Sequence, residues 1–291
     1  MFKIPLADIL ITGKCNQCCP YCISFYEKGL KKGFLSKRDI KNCAKIFSAL
    51  KIEAISISGG EPMLAYNLVR ASKHLKTNGF KVQIETNCTN FEKYYQDLKG
   101  IITWYSFSLD GHTKKINFLM RPQTKKSLNK WGYQFDAVFH ALNLLRKNKS
   151  KTKVKIGTLV SKQNAESIIL IGELIKNYPQ IKKWKLYQMR KNNPNHINIK
   201  KIKGIIKKIK QKYSKNKSFE IVASPSKYLD QGSILQVRPD TKEIYTEITK
   251  DNVFIFGKLG VDSNDKIINN IQKNYRLFKN VNARYNSTYK I

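Results

Sequence analysis

Six short apolar runs, separated by segments with helical spacing, constrain the fold of this chain more than any other feature. They are Ala7 to Thr12, Ala54 to Ser58, Lys81 to Thr86, Ile102 to Leu109, Val154 to Val160 and Trp184 to Met189. Each reads as a strand, and the intervals read as helices. Ser36 followed three residues on by Asp39 is a capping pair. Ile40, Cys43, Phe47 and Leu50 then lie on one helical face, which places Cys43 in the core. Leu64, Leu68 and Leu75 predict a second helix, Phe135, Val138, Leu142 and Leu145 another, and Ile168, Ile171 and Ile175 a further one. Successive strand–helix steps require a largely parallel sheet of the α/β class, because each helix returns the chain by a right-handed crossover. In parallel barrels ligands bind at the rim formed by the C-terminal ends of the strands. The loop from Cys15 to Cys22, Glu61, Asn87 and Asp110 all follow strands and should converge there.

The pattern changes after about residue 195, which divides the chain into a core over 1–195 and an extension over 196–291. Ile202, Ile205, Ile206, Ile209 and Tyr213 form a stripe on a helix whose other face is nearly all lysine. Such a helix docks its isoleucines and solvates its lysines, or lies on a polyanion or membrane surface. Ile234 to Val237, Glu243 to Ile248 and Val253 to Phe256 predict a small antiparallel meander, closed by a helix near Asn264 to Asn274 and a frayed tail over 280–291.

Four of the six cysteines, Cys15, Cys18, Cys19 and Cys22, fall within one short stretch, and none follows Cys88. A disulfide framework would spread cysteines along the chain, so this clustering favours metal ligation in a reducing compartment. No apolar run reaches the length of a membrane span, and the start lacks a signal-type cleavage site, so the expected location is cytoplasmic. The net charge of +35 would attract nucleic acid or another polyanion, but the lysines are dispersed rather than clustered. Cys15, Cys19 and Cys22 have C-x3-C-x2-C spacing, suited to three irons of a cubane cluster. Read instead as C-x2-C-C-x2-C, the four cysteines are a zinc set in a nucleic-acid-binding protein, although the adjacent Cys18 and Cys19 point in divergent directions. His74, His112, His140 and His196 show no ligand spacing.

The segment Cys15-Asn16-Gln17-Cys18-Cys19-Pro20-Tyr21-Cys22, with Gly59-Gly60-Glu61-Pro62 after the next strand, resembles the radical S-adenosylmethionine (radical SAM) superfamily. The similarity continues through Glu85-Thr86-Asn87 and Ser108-Leu109-Asp110-Gly111 and covers about the first 190 residues. It implies a partial (β/α)6 barrel with a small C-terminal α+β extension. It implies a 4Fe-4S cluster on Cys15, Cys19 and Cys22, with S-adenosyl-L-methionine chelating the fourth iron. Tyr21 would lie near the adenine, Gly59, Gly60 and Glu61 near the methionine amino group, and Pro62 would fix the turn. Asn87, Ser108 and Asp110 are implied as methionine or ribose contacts, and Thr158 and Val160 as neighbours of the adenine. Cys18 reads as a bystander, and Cys88 stands where the family often has glycine. Arg121 reads as a substrate anchor or as a structural ion-pair partner.

Reductive cleavage of the sulfonium would then give a deoxyadenosyl radical that abstracts hydrogen from a substrate. A flavodoxin- or ferredoxin-like reductant is implied. Trp184-Lys185-Leu186-Tyr187-Gln188 is similar to the sixth strand of viperin-like nucleotide-modifying enzymes, whereas Ser108-Leu109-Asp110-Gly111 fits the peptide and cofactor-biosynthesis branch. Peptide, nucleotide and small-molecule substrates all stay open at this point.

Overall fold

The computed structural model describes residues 4–22, 32–123, 132–191, 193–215, 218–224, 234–249 and 252–278. Ten strands form one sheet: β1 (Leu6–Thr12), β2 (Ala54–Gly59), β3 (Lys81–Thr86), β4 (Ile102–Ser108), β5 (Lys153–Val160), β6 (Ile181–Gln188), β7 (Glu220–Ser224), β8 (Leu235–Val237), β9 (Glu243–Thr249) and β10 (Asn252–Lys258). Their spatial order is β10-β9-β8-β1-β2-β3-β4-β5-β6-β7. Pairing is parallel from β8 through β1 to β7 and antiparallel for β8–β9 and β9–β10. The helices are α1 (Lys37–Ala49), α2 (Leu68–Thr77), α3 (Phe91–Leu98), α4 (Lys114–Met120), α5 (Gln134–Lys147), α6 (Ile169–Ile175), α7 (Ile199–Lys212) and α8 (Asn264–Lys273).

Side chains alternate across a strand, and here the alternation separates two environments. Ile9, Ile57, Ile84, Phe107, Ile156 and Leu186 turn to the helices and belong to one continuous apolar core. The residues between them are of another kind: Asp8, Ser56, Gln83, Ser106, Lys155 and Lys185. The sheet therefore has an apolar helical side and a polar hollow side. Burying each large aliphatic side chain under the helices contributes about 1.5–3 kcal/mol, which fixes the register of every strand, since a one-residue slip would exchange the two faces.

The expected strands are all present, and the capping box at Ser36 and Asp39 starts α1. Leu64 departs from expectation. It lies in a short 3-10 turn, Pro62–Leu64, capped by the Glu61 side chain, and Ala65 is extended, so α2 begins only at Leu68. The structure adds α3, α4 and β7, all short elements. The meander is present as β8, β9 and β10, but it is not a separate sheet: β8 pairs parallel with β1 through Ala7–Leu235 and Ile9–Val237. β7 likewise continues the sheet on its other side, pairing with β6. The tail expected to fray over 280–291 lies outside the described residues.

Helix α7 docks. Ile202 and Ile209 are buried, and the Tyr213 hydroxyl donates to Glu173 Oε1 at 2.8 Å. Its ring packs on Gly172, where a Cβ would meet the ring at 2.3 Å. Lys200, Lys203, Lys207 and Lys210 face outward. Among the described residues no helix is long and apolar enough to cross a membrane.

Candidate active site

A cleft enclosing about 990 Å3, mouth included, opens where β1 to β4 end. Cys15, Cys19 and Cys22 line it together with Gly59, Gly60 and Glu61. The loop after β1 is fixed against the loop after β2 by two short backbone bonds, Gly60 N–H to Thr12 O and Glu61 N–H to Lys14 O, both 2.7 Å. Only glycine permits this approach: a Cβ on Gly59 would lie 2.3 Å from Thr12 O, and one on Gly60 would lie 2.2 Å from Lys14 O. Gly59 also has φ of 131°, where other residues are strained. The far side of the cysteine loop is held by Cys18 N–H to Pro122 O at 3.1 Å and a bridge between Gln17 and Gln123.

Within that loop the thiols separate. Cys15, Cys19 and Cys22 face the cleft, whereas Cys18 Sγ lies 3.5 Å from Pro122 O and does not line it. Among the described residues no three His, Cys, Asp or Glu side chains are gathered as for a single ion. Cys18 is thus set apart from the three thiols that line the cleft. Burial pushes the Cys15 thiol up to about 12, with Glu61 adding to the effect, and the Cys19 thiol up to about 11. Nearby thiols raise both further, because each would-be thiolate repels the next. A cationic iron cluster among three soft donors removes that penalty, so this donor set fits such a group.

Asn87 joins the cysteine loop to the end of β3. Its Nδ2 donates to Asn16 Oδ1 at 2.8 Å, and Asn16 Nδ2 donates to Thr89 Oγ1 at 2.8 Å. Cys88 has φ of 69° and a buried thiol packed in the core rather than in the cleft, so this turn accepts a small non-glycine residue. Glu61 is 1% exposed. Its carboxylate accepts from Thr86 Oγ1 at 2.6 Å, Asn87 N–H at 2.7 Å and Met63 N–H at 3.0 Å. Burial raises its pKa above the usual carboxylate range although these donors oppose the shift.

Asn87 and Ser108 line the cleft, whereas Tyr21, Pro62 and Asp110 do not. Asp110 is fully buried, and its carboxylate is held by Tyr21 Oη at 2.6 Å, Leu159 N–H at 2.7 Å and an ion pair with Arg121 Nε at 2.6 Å. Tyr21 is thereby turned toward Asp110, with the Arg121 guanidinium 5.8 Å from its ring centroid. Pro62 is buried at the start of its 3-10 turn. Thr158 donates to Leu109 O at 2.6 Å and accepts from Trp184 Nε1 at 2.9 Å, and Val160 belongs to the core, so both lie on the helical side. Arg121 is half-buried, pairing with Asp110 as the structural reading expected, and it also lines the cleft, where the anchor reading would place it.

The buried lysines on the hollow side were not singled out from the sequence as site residues. Lys155, Lys183 and Lys185 are 1%, 0% and 4% exposed. Lys155 pairs with Glu85 Oε1 at 3.2 Å, Lys183 with Glu220 Oε2 at 3.5 Å, and Lys185 lies over the Tyr187 ring. Burial pulls the Lys183 ammonium down, with Glu220 opposing it and Lys155 reinforcing it. The signal was present as period-two lysine in Lys153-Val154-Lys155 and Lys183-Trp184-Lys185, hidden by the abundance of lysine elsewhere. Asp8, Gln236 and Gln17 in the cleft wall were likewise missed.

The radical SAM superfamily model matches residues 9–175. The chain is 26% identical over 212 residues to an S-adenosylmethionine-dependent nucleotide dehydratase of Lacinutrix mariniflava, covering 69% of this chain and 42% of that protein. It is 27% identical over 288 residues to a GTP 3',8-cyclase of Psychromonas ingrahamii, covering 90% of this chain and 80% of that one. A third relative, a nucleotide dehydratase of a Thermoplasmatales archaeon, is 29% identical over 109 residues, covering 37% of this chain and 38% of its own length. The chain thus spans about two fifths of the two nucleotide dehydratases. Among solved structures, native anSMEcpe with bound AdoMet and Kp18Cys peptide superposes with a TM-score of 0.67 at 17% identity, covering 94% of this chain and 83% of that one. Streptococcus suis SuiB bound to S-adenosylmethionine gives 0.62 at 14% identity, covering 77% and 48%. These two likenesses establish the shared fold. With a family model matched across more than half its length and a cleft lined by the three spaced thiols and the glycine turn, this chain belongs to the radical SAM superfamily.

Proposed function

We propose that the chain is a radical SAM enzyme whose substrate is a phosphorylated nucleotide. In this reading Cys15, Cys19 and Cys22 hold a 4Fe-4S cluster, and the backbone of Gly59 to Glu61, with Asn87 and Ser108, receives S-adenosylmethionine. The bound group supplies one-electron cleavage of S-adenosylmethionine and hydrogen abstraction by the carbon radical released. The chain's own residues do the rest: the glycine turn brings the cofactor against the cysteine loop, and the polar hollow orients the substrate below it. A low-potential flavodoxin- or ferredoxin-like protein is the proposed electron source, and the cytoplasm the proposed location.

The observation that carries the substrate class is the set of lysines on the hollow side. Lys155, Lys183 and Lys185 stand on adjacent strands of that side, and although Glu85 and Glu220 offset part of the charge of the first two, three ammonium groups so placed bias the local field toward a polyanion. Two relatives whose names state nucleotide chemistry, the dehydratase and the cyclase, agree with that reading. The test is release of 5'-deoxyadenosine by anaerobically reconstituted, reduced protein supplied in turn with nucleoside triphosphates and with peptides. A triphosphate should stimulate release, and Lys155→Met or Lys183→Met should raise its KM roughly tenfold or more with iron content unchanged, as loss of a charged hydrogen bond requires. Stimulation by peptide alone, or lysine variants with unaltered KM, would overturn the substrate assignment.

A further inference from the structure

Several side-chain amide groups around the cysteine loop are satisfied. Asn16 Nδ2 donates to Thr89 Oγ1, Asn87 Nδ2 to Asn16 Oδ1, and Gln134 Nε2 to Ser108 O at 2.7 Å. Gln17 Nε2 has no hydrogen-bond partner, although the residue is only 7% exposed and lines the cleft beside Cys15 and Cys19. A buried amide left without an acceptor is unfavourable, so such a group is ordinarily matched by something that binds there.

Gln17 is also rigidly placed. Its backbone bridges Gln123, and its N–H donates to Cys15 Sγ at 3.4 Å. Its Oε1 stands 4.0 Å from Cys19 Sγ, positioned to accept from a thiol. A cysteine that ligates iron has lost that proton, and its sulfur can then only accept. The carboxamide oxygen would face sulfur lone pairs, whereas half a turn about the terminal side-chain bond exchanges oxygen for Nε2 without moving the backbone.

We infer that Gln17 is a positioning residue for the iron–sulfur group, its side-chain amide donating a hydrogen bond to the Cys19 sulfur and raising the cluster's reduction potential. This rests on the reading that Cys15, Cys19 and Cys22 carry the cluster. The physical basis is that reduction adds negative charge to cluster and thiolates, so a donor to sulfur stabilises the reduced form more than the oxidised one. Gln17 would thereby set how readily the cluster takes its electron.

The test uses Gln17→Met, which keeps length and volume without the donors, and Gln17→Glu, which replaces them with negative charge. Both are reconstituted anaerobically beside the parent, iron and sulfide per chain are measured first, and the midpoint potential is then followed by EPR without S-adenosylmethionine. The expected result is unchanged iron in both, a lower midpoint for Gln17→Met and a lower one still for Gln17→Glu. Iron-loaded variants with the parent's midpoint would overturn the inference while leaving the cluster reading intact. A variant that loses affinity for S-adenosylmethionine at constant midpoint would do the same, by assigning the amide to that ligand. A parent protein that takes up no iron would remove the cluster reading, and this inference with it.

Discussion

Glu61 accepts a 2.6 Å hydrogen bond from the Thr86 hydroxyl, joining the turn after β2 to the end of β3 beneath the cleft floor. With Asn87 N–H and Met63 N–H on the same carboxylate, Glu61 holds together the two loops that frame the glycine turn. Its backbone, bonded to Lys14, meets the cysteine loop while its side chain faces inward.

Replacing Glu61 should therefore reduce stability as well as activity. Glu61→Ala strands three buried donors and should lower the unfolding free energy by about 3 kcal/mol or more. Glu61→Gln keeps an oxygen for Thr86 and Met63 but opposes Asn87 N–H with an amide, and should lose about 1–2 kcal/mol. Urea titration of the two variants beside the parent checks this order.

The strands were legible because their apolar faces recur with period two and feed one core, as in Ile55 and Ile57 or Val154 and Ile156. The cysteine loop was legible as a metal-ligating stretch through its spacing, and the family it resembles through that loop together with Gly59-Gly60-Glu61-Pro62. The pairing of Tyr21 with Asp110 was not, because it depends on Arg121 and Leu159, brought from distant parts of the chain by the sheet. β7 escaped notice because Glu220 to Ser224 is too short for alternation to stand out beside a lysine-rich helix. The hollow-side lysines were masked for a compositional reason: among 55 basic residues, those at strand positions look like any others until the register places them.

The start of α1 should impose a defined acid sensitivity. Asp39 Oδ2 accepts from Ser36 N–H at 2.7 Å and pairs with Lys242 at 3.1 Å. Burial alone would raise its pKa, but the Ser36 and Lys242 donors outweigh it and hold the carboxyl below its ordinary value of 3.8. The folded value being the lower, this contribution is present above pH 3.8 and lost as pH falls through the folded value. Asp39→Asn should cost about 1 kcal/mol at neutral pH, and the difference from the parent should shrink in thermal melts carried below pH 3.8.

Cys88 offers a separate test of the turn after β3. At φ of 69° a β-branched side chain is strained, whereas glycine is at ease. Cys88→Gly trades buried thiol packing for relief of strain and should stay within about 1 kcal/mol of the parent, and Cys88→Val should lose about 2 kcal/mol or more. Equal denaturation midpoints for the two variants would refute this backbone assignment.

The proposed cluster depends most on which sulfurs hold iron, because Cys18 and Cys19 are neighbours in sequence yet only Cys19 lines the cleft. The direct measurement is iron and acid-labile sulfide per chain in Cys18→Ala and Cys19→Ala after anaerobic reconstitution. Cys18→Ala should bind about four irons and four sulfides with the parent's spectrum, and Cys19→Ala should lose the cluster. Full iron in Cys19→Ala, or its loss from Cys18→Ala, would contradict the site described here.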